Sequence, residues 1–167
     1  AIAINNTFRL APWADMLYAA DKEWWLHDEN KDAFKFNGLK VSASDVSQVN
    51  ILKVTGKFGY DPDPSSIRTG GNSAYQATHI AMQAGAKKIL LCGVNMTGPN
   101  WHKRHAQGLR DTDEVHYKLY REWFESLVLP AFYLGVDIVN VTPHSALKCF
   151  RTPGRSRSGR SWSLAVR

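Results

Sequence analysis

One helix-to-strand unit in the middle of the chain constrains the fold more than any other feature. Apolar residues recur at helical spacing over 73–84, Gly85 follows as a helix-ending residue, and the run at 89–94 is almost entirely apolar. A short continuous apolar run after a helix is typical of a buried strand in a parallel sheet. The unit therefore predicts an α/β fold with this strand at the centre of the sheet.

The rest of the chain continues the alternation of strand and helix patterns. Glycines and prolines between Gly56 and Gly71 predict a long loop without regular structure. Together the patterns predict one Rossmann-like, mostly parallel sheet with helices on both faces. Further strands are predicted at 2–5, 15–20, 39–42, 50–54 and 136–141, and further helices at 21–27 and 112–134, the last kinked at Pro130.

Charge divides the chain into two parts. The net charge is +6, yet residues 151–167 hold five arginines and no acidic residue, whereas residues 1–150 hold 16 basic and 15 acidic residues. We therefore predict a folded domain over 1–150 and a basic Arg/Ser-rich tail over 151–167. Any binding of nucleic acid is expected to be weak and to act through the tail.

Composition argues against several classes of protein. The hydrophobic fraction of 44% is typical of a globular chain, and no run of 18 apolar residues predicts a membrane span. The first residues show no secretory signal. Cys92 and Cys149 are too few and too far apart to indicate a disulfide framework or a zinc site. We expect a cytoplasmic protein with no metal, no cofactor and no membrane partner.

The loop before the central helix is the first candidate ligand site. Gly70 and Gly71 would let a ligand approach the backbone closely, and Asn72 and Ser73 stand at a helix start, where unpaired N–H groups bind anions. The same residues are also typical of a plain helix cap, in which Asn72 or Ser73 accepts a hydrogen bond from the helix. Both interpretations stay open at this point.

A second candidate segment follows the central strand. His102, Arg104 and His105 crowd together there, and could supply a general base and contacts to a phosphate. A metal site would need at least one more ligand. Ordinary surface histidines are the alternative.

Polar residues also follow the first and the last predicted strands. Asn5 and Asn6 end the first strand, and Asn140 and Ser145 follow the last, at the strand ends where open α/β sheets bind ligands. Such side chains bind a sugar or a base, or simply close turns. The Asp-Pro-Asp-Pro segment at 61–64 is similar to a cation-binding Asp-x-Asp pair, but its prolines favour a rigid solvated loop.

Taken in order, these segments resemble a family of phage and prophage proteins of unassigned activity. The resemblance covers about residues 2–150, and those proteins in turn resemble bacterial lipooligosaccharide sialyltransferases and motility-accessory-factor glycosyltransferases. It is carried by GGNSAYQA at 70–77, AGAKKILLCGVNM at 84–96 and VNVTPHSAL at 139–147, with Trp101-His102 and Gly108-Leu109-Arg110 between them.

The resemblance implies a Rossmann-like sheet, a sugar-nucleotide donor and no metal requirement. It implies that His102 is the histidine base, that Asn5 or Asn6 contacts the donor, and that the helix start at 71–73 and the segment 140–145 do so too. The family opens with a strand and a Gly-x-Gly-Pro-Ser phosphate loop, and this sequence starts after that point. We therefore expect a sheet that lacks its first strand and phosphate loop.

Three functions follow as expectations. The leading one is a glycosyltransferase-like protein of a bacterial cytoplasm that binds a nucleotide-activated sugar. In it, His102 would deprotonate an acceptor hydroxyl, and Arg104 or helix-start amides would stabilise the departing phosphate. The alternatives are a non-catalytic phage protein that binds or sequesters a nucleotide, and a nucleic-acid-associated protein acting through its tail.

Overall fold

The computed structural model describes residues 1–98 and 112–153. None of the helices in this part of the chain combines the length and the apolar character needed to cross a membrane. The strands are β1 (Ile2–Ile4), β2 (Met16–Tyr18), β3 (Leu39–Ser42), β4 (Asn50–Ile51), β5 (Lys53–Gly56), β6 (Ser66–Arg68), β7 (Lys88–Leu91) and β8 (Asp137–Asn140), and the α-helices are α1 (Lys22–Leu26), α2 (Ser73–Gln83), α3 (Glu114–Phe124) and α4 (Val128–Tyr133).

The strands of the described residues pair in parallel. One four-stranded sheet has the order β1-β2-β3-β4. In addition, β5 pairs with β6, and β7 pairs with β8. The backbone N–H of Leu52 donates to the carbonyl of Ser42, whereas the N–H of Lys53 donates to the carbonyl of Ser65. Because neighbouring N–H groups of a strand point to opposite edges, segment 50–56 joins β3 on one side to β6 on the other. An α/β fold with short parallel strands is therefore confirmed.

Helices cover both faces of the sheet around β2. Leu17 packs against Trp24 and Trp25 of α1, whereas the next residue, Tyr18, packs against Ile80 of α2. Successive strand residues point to opposite faces, so these contacts place one helix on each face. The two tryptophans of α1 are therefore core residues.

β7 and β8 pair over four residues and pack on α2, α3 and α4 through one face. Ile89, Leu91 and Ile138 are buried in a cluster with Tyr75 of α2, whereas Leu90 is 56% exposed. The expectation of a buried strand at the centre of the sheet is therefore wrong for the described residues, in which β7 pairs with β8 alone and Leu90 is exposed. An apolar side chain favours burial, but its type does not tell whether the fold places a helix or strand over it.

Two further predictions from sequence are wrong. β6 lies inside the stretch predicted as a loop, because the fully buried Ile67 pairs in register with Val54. The predicted helix at 112–134 divides into α3 and α4 at a 3-10 turn, Glu125–Leu127, rather than at Pro130. Pro130 falls in the first turn of α4, where its missing N–H removes no helical hydrogen bond.

The folded part of the chain extends past residue 150. Arg151 forms a parallel bridge with Val139, and its backbone carbonyl accepts a hydrogen bond from the N–H of Asn140 (2.8 Å). Its guanidinium also pairs with Asp137 (2.8 Å). Arg151 thus pairs with β8 at one position, whereas residues 154–167 of the predicted tail lie outside the described residues.

Candidate functional site

A buried hydrogen-bond network ties together the chain beyond β7 and β8. The side-chain amide of the fully buried Asn140 donates to the carbonyl of Val94 (3.1 Å) and to the hydroxyl of Ser145 (2.8 Å), and its oxygen accepts from the N–H of Thr142 (3.1 Å). Ser145 donates in turn to Val94 (2.7 Å) and accepts from the N–H of Leu147 (3.1 Å). Asn140 and Ser145, predicted as ligand contacts, use these polar atoms to hold the two strand-end loops.

The segment after β8 turns sharply beside this network. The hydroxyl of Thr142 accepts from the N–H of Val94 (2.8 Å), which fixes the start of the turn. Two residues later, His144 adopts a φ of 55°, a left-handed conformation that few non-glycine residues adopt. The turn borders a cleft of about 390 Å³, lined by Val141, Thr142, Pro143, His144, Ser145, Lys148, Thr152 and Pro153.

The chemistry of this cleft suits an anion. The residues that line it include Lys148, His144 and Thr152, and none of the described residues that line it is acidic. Lys148 and His144 are both exposed, so their side chains are accessible from solvent. Ammonium groups bind phosphate and carboxylate through short charge-assisted hydrogen bonds.

The start of α2 is a helix cap. The side-chain oxygen of Asn72 accepts from the N–H of Tyr75 (2.8 Å), and its amide donates to the carbonyl of Gly70 (3.0 Å). Asn72 is therefore the N-cap, and Ser73 is the first residue of α2. The capping interpretation of Asn72 is confirmed, whereas contact with a ligand stays a prediction for Gly70, Gly71, Asn72 and Ser73.

Aromatic rings of the same chain pack directly against the backbone of Gly70 and Gly71. Gly70 and Gly71 have φ values of 49° and 67°. A Cβ on Gly70 would lie 2.1 Å from the ring of Tyr75, and one on Gly71 would lie 2.2 Å from the ring of Trp123 in α3. The ammonium of Lys57 lies over the same Trp123 ring, 4.2 Å from the ring centroid. The glycine pair thus has a packing role that needs no ligand.

Asn5 and Asn6 follow β1 in a 3-10 turn, Asn5–Arg9. The side-chain oxygen of Asn6 accepts hydrogen bonds from Trp24 (3.1 Å) and from Arg9 (3.3 Å). Asn6 therefore fastens the first strand-end turn to α1. Asn5, with a φ of 48°, is the residue at which the chain turns out of β1.

Backbone strain collects at the carboxyl ends of the strands. Of the four non-glycine residues with positive φ in the described ranges, Asn5, Met96 and His144 lie in the segments after β1, β7 and β8, one to five residues past the strand ends. Such conformations cost on the order of 1–3 kcal/mol each and concentrate at binding and catalytic sites. The strain supports the strand ends as the functional edge.

The remaining predicted residues are His102, Arg104 and His105, and they lie outside the described residues. The chain leads toward them from the segment 93–96, which is held on several sides. The carbonyl of Asn95 accepts from the N–H of Ala146 (2.7 Å), and that of Met96 accepts from Arg121 in α3 (2.7 Å). The strand-end network therefore also fixes the chain after β7 as far as Met96.

The Asp-Pro-Asp-Pro segment does not form a metal site in the described residues, which hold no cluster of three or more His, Cys, Asp or Glu that could ligate an ion. The carboxylate of Asp61 accepts from the hydroxyl of Thr55 (2.5 Å) and the N–H of Asp63 (3.1 Å), and these bonds hold the pKa of Asp61 below its usual value. Asp63 accepts in the same way from Ser65. These hydrogen bonds within the segment fit its interpretation as a rigid loop.

Sequence reasoning did not single out His144 and Lys148 as separate site residues. The only signal in the sequence was that the two residues are four apart and follow a proline. That pattern is too common to identify a cleft. Their convergence depends on the turn that Asn140 and Ser145 hold, and that turn is a tertiary feature.

Comparison with known proteins adds no relative to this description. No family model, no curated protein and no solved structure matches the chain.

Proposed function

We propose that the chain binds a nucleotide-activated sugar at the carboxyl ends of its parallel strands and acts as a glycosyltransferase-like protein on a Rossmann-like sheet. The observation that carries the proposal is the cleft after β8, with Lys148 and His144 in its lining and no acidic residue among the described residues around it. A nucleotide sugar presents a phosphate group whose charge fits this lining.

The position of the cleft supports a ligand role. Open parallel sheets bind ligands in crevices outside the carboxyl ends of their strands, because the loops there are free to vary while the strands stay fixed. A volume of about 390 Å³ lies within the range of small-molecule pockets. It is large enough for the phosphate and sugar of a nucleotide.

The buried network below the cleft gives the rigidity that such a site needs. Asn140 and Ser145 use their polar side-chain atoms to bond each other and the neighbouring backbone, so the turn that presents His144 is fixed before any ligand arrives. A preorganised site loses less conformational entropy on binding. In this proposal the two residues position the site rather than touch the ligand.

The chemical step of the proposal relies on His102, with Arg104 and His105 beside it. The imidazole of His102 would accept a proton from the attacking hydroxyl, and Arg104 would stabilise the charge on the departing phosphate. This assignment comes from the resemblance of the sequence to the glycosyltransferase-like group. Measuring hydrolysis of a sugar-nucleotide donor by the purified chain separates this proposal from a protein that only binds nucleotides.

Replacing Lys148 with alanine is expected to weaken nucleotide binding by roughly tenfold, because it removes a charge-assisted hydrogen bond to phosphate. Calorimetric titration with CMP, CDP, UDP and inorganic phosphate measures the effect. Lys87→Ala is the matched control, since Lys87 is an exposed lysine just before the opposite end of β7. Equal affinities in the wild type and Lys148→Ala would remove the cleft from the proposal.

A further inference from the structure

Polar side chains along one face of α2 bind the backbone of the segment 59–66, which leads into β6. Tyr75, His79 and Gln83 are four residues apart and therefore share one helix face. The hydroxyl of Tyr75 donates to a carbonyl of the segment 59–66 (2.9 Å), and Nε2 of His79 accepts from the N–H of Asp61 (2.9 Å). The amide of Gln83 donates to the carbonyl of Asp61 (2.9 Å) and reaches two further carbonyls of the segment. This row fixes the loop before β6 to α2.

His79 is the titratable centre of the row. Its side chain is 0% exposed and lies against the ring of Tyr60, with ring centroids 5.1 Å apart. Because Nε2 accepts a hydrogen bond, the proton of the neutral ring resides on Nδ1. Within the described residues Nδ1 is buried without a hydrogen-bond partner. The site is built for the neutral imidazole.

The charges around His79 come from the loop and from β6. Burial lowers the pKa of His79 to about 4, the carboxylate of Asp61 opposes that shift, and the guanidinium of Arg68 adds to it. Asp61 and Arg68 also face each other, with Nε of Arg68 3.7 Å from Oδ2 of Asp61. Burial raises the pKa of Tyr75, so that hydroxyl stays neutral through the acid range.

We propose that His79 is a proton-operated latch, whose protonation breaks the hydrogen bond from the N–H of Asp61 and releases the segment 59–66 from α2 while β7 and β8 stay folded. An imidazolium has no lone pair on Nε2 and cannot accept that bond. The latch does not depend on the ligand proposed above.

The direction of the pH effect follows from the pKa values. The pKa of His79 is lower in the folded state, about 4, than its ordinary value of 6.5. The neutral ring therefore holds the segment fully above pH 6.5, and this contribution is lost as the pH falls toward 4. Between pH 7.5 and pH 5, the opening equilibrium of the segment is expected to rise roughly 10- to 30-fold.

Amide hydrogen exchange measured by NMR on the full chain tests the latch. After correction for intrinsic rates, protection of the Asp61 amide should fall by that factor between pH 7.5 and 5, while amides of β7 and β8 stay protected. His79→Gln keeps an acceptor that does not titrate, so its Asp61 amide should lose the pH dependence. His27→Asn is the matched control, since Nδ1 of His27 also accepts a backbone N–H, from Glu29 (3.3 Å). That variant should behave like the wild type.

Equal pH dependence in the wild type and His79→Gln would overturn the latch, as would loss of protection in β7 and β8 at the same pH. The ring nitrogens of His79 give a second readout that needs no variant. In the wild type they should report the Nδ1-protonated tautomer at pH 7.5 and a titration well below pH 6. An Nε2-protonated ring, or a titration near pH 6.5, would contradict the proposal.

Discussion

Replacing Asn140 with alanine is expected to lower the free energy of unfolding by about 2–4 kcal/mol, because three hydrogen bonds disappear inside a fully buried site. The N–H of Thr142 would lose its acceptor in the network, and the hydroxyl of Ser145 would lose a donor. For a chain of this length the loss corresponds to a fall in Tm of roughly 5–15 °C, measurable by calorimetry or circular dichroism.

Asn50→Ala provides the control for this prediction. The amide of Asn50 donates one hydrogen bond, to the carbonyl of Lys40 (3.1 Å), at an exposed position on β4. Exposed substitutions of this kind usually change stability by less than about 0.5 kcal/mol. Similar small losses in both variants would show that the Asn140 network does not hold the strand ends together.

Gly71→Ala is expected to cost about 2–5 kcal/mol of stability, the sum of backbone strain and a steric clash. The residue has a φ of 67°, and its new Cβ would lie 2.2 Å from the ring of Trp123 and 2.9 Å from that of Tyr120. Strain of this kind costs about 1–2 kcal/mol, and forcing packed rings apart typically adds 1–3 kcal/mol. Urea unfolding followed by tryptophan fluorescence measures the difference.

Gly135→Ala separates the two contributions. Gly135 has the same φ of 67°, but nothing lies within 4 Å of a Cβ placed there. Its substitution should therefore show the backbone strain without the clash, and cost about half as much or less. Equal losses at Gly71 and Gly135 would mean that the rings of α3 do not press against the start of α2.

The sequence predicted those elements whose signal is local. The helical spacing and Gly85 located α2 to within one residue at its end, and the β-branched and apolar runs located β3 and β8 closely. Each of these depends on propensity and periodicity over a few neighbouring residues. The short parallel strand β6 carried no such signal, because only Ile67 is apolar there and its pairing with β5 is a long-range event.

The roles of the predicted polar residues could not be read from their type. Asn72 and Asn140 are both asparagines beside an expected ligand edge, yet one caps a helix and the other joins two loops inside the core. A polar side chain at a strand end bonds whichever partner the fold brings near, and that partner is set by tertiary packing. For the same reason the role of His79 could not be predicted, since its hydrogen-bond partner is the backbone of a loop 18 residues earlier in the chain.

The most direct test of the proposed site is an NMR titration of the chain with CDP, in which amide shifts map where the nucleotide binds. The largest changes are expected at 141–148, around the cleft that holds His144 and Lys148, with smaller changes at 70–73. Lys148→Ala should reduce these changes at equal CDP concentration. If CDP instead shifts amides at the opposite strand ends, around Lys87 and Val136, or shifts none at all, the cleft is not the nucleotide site.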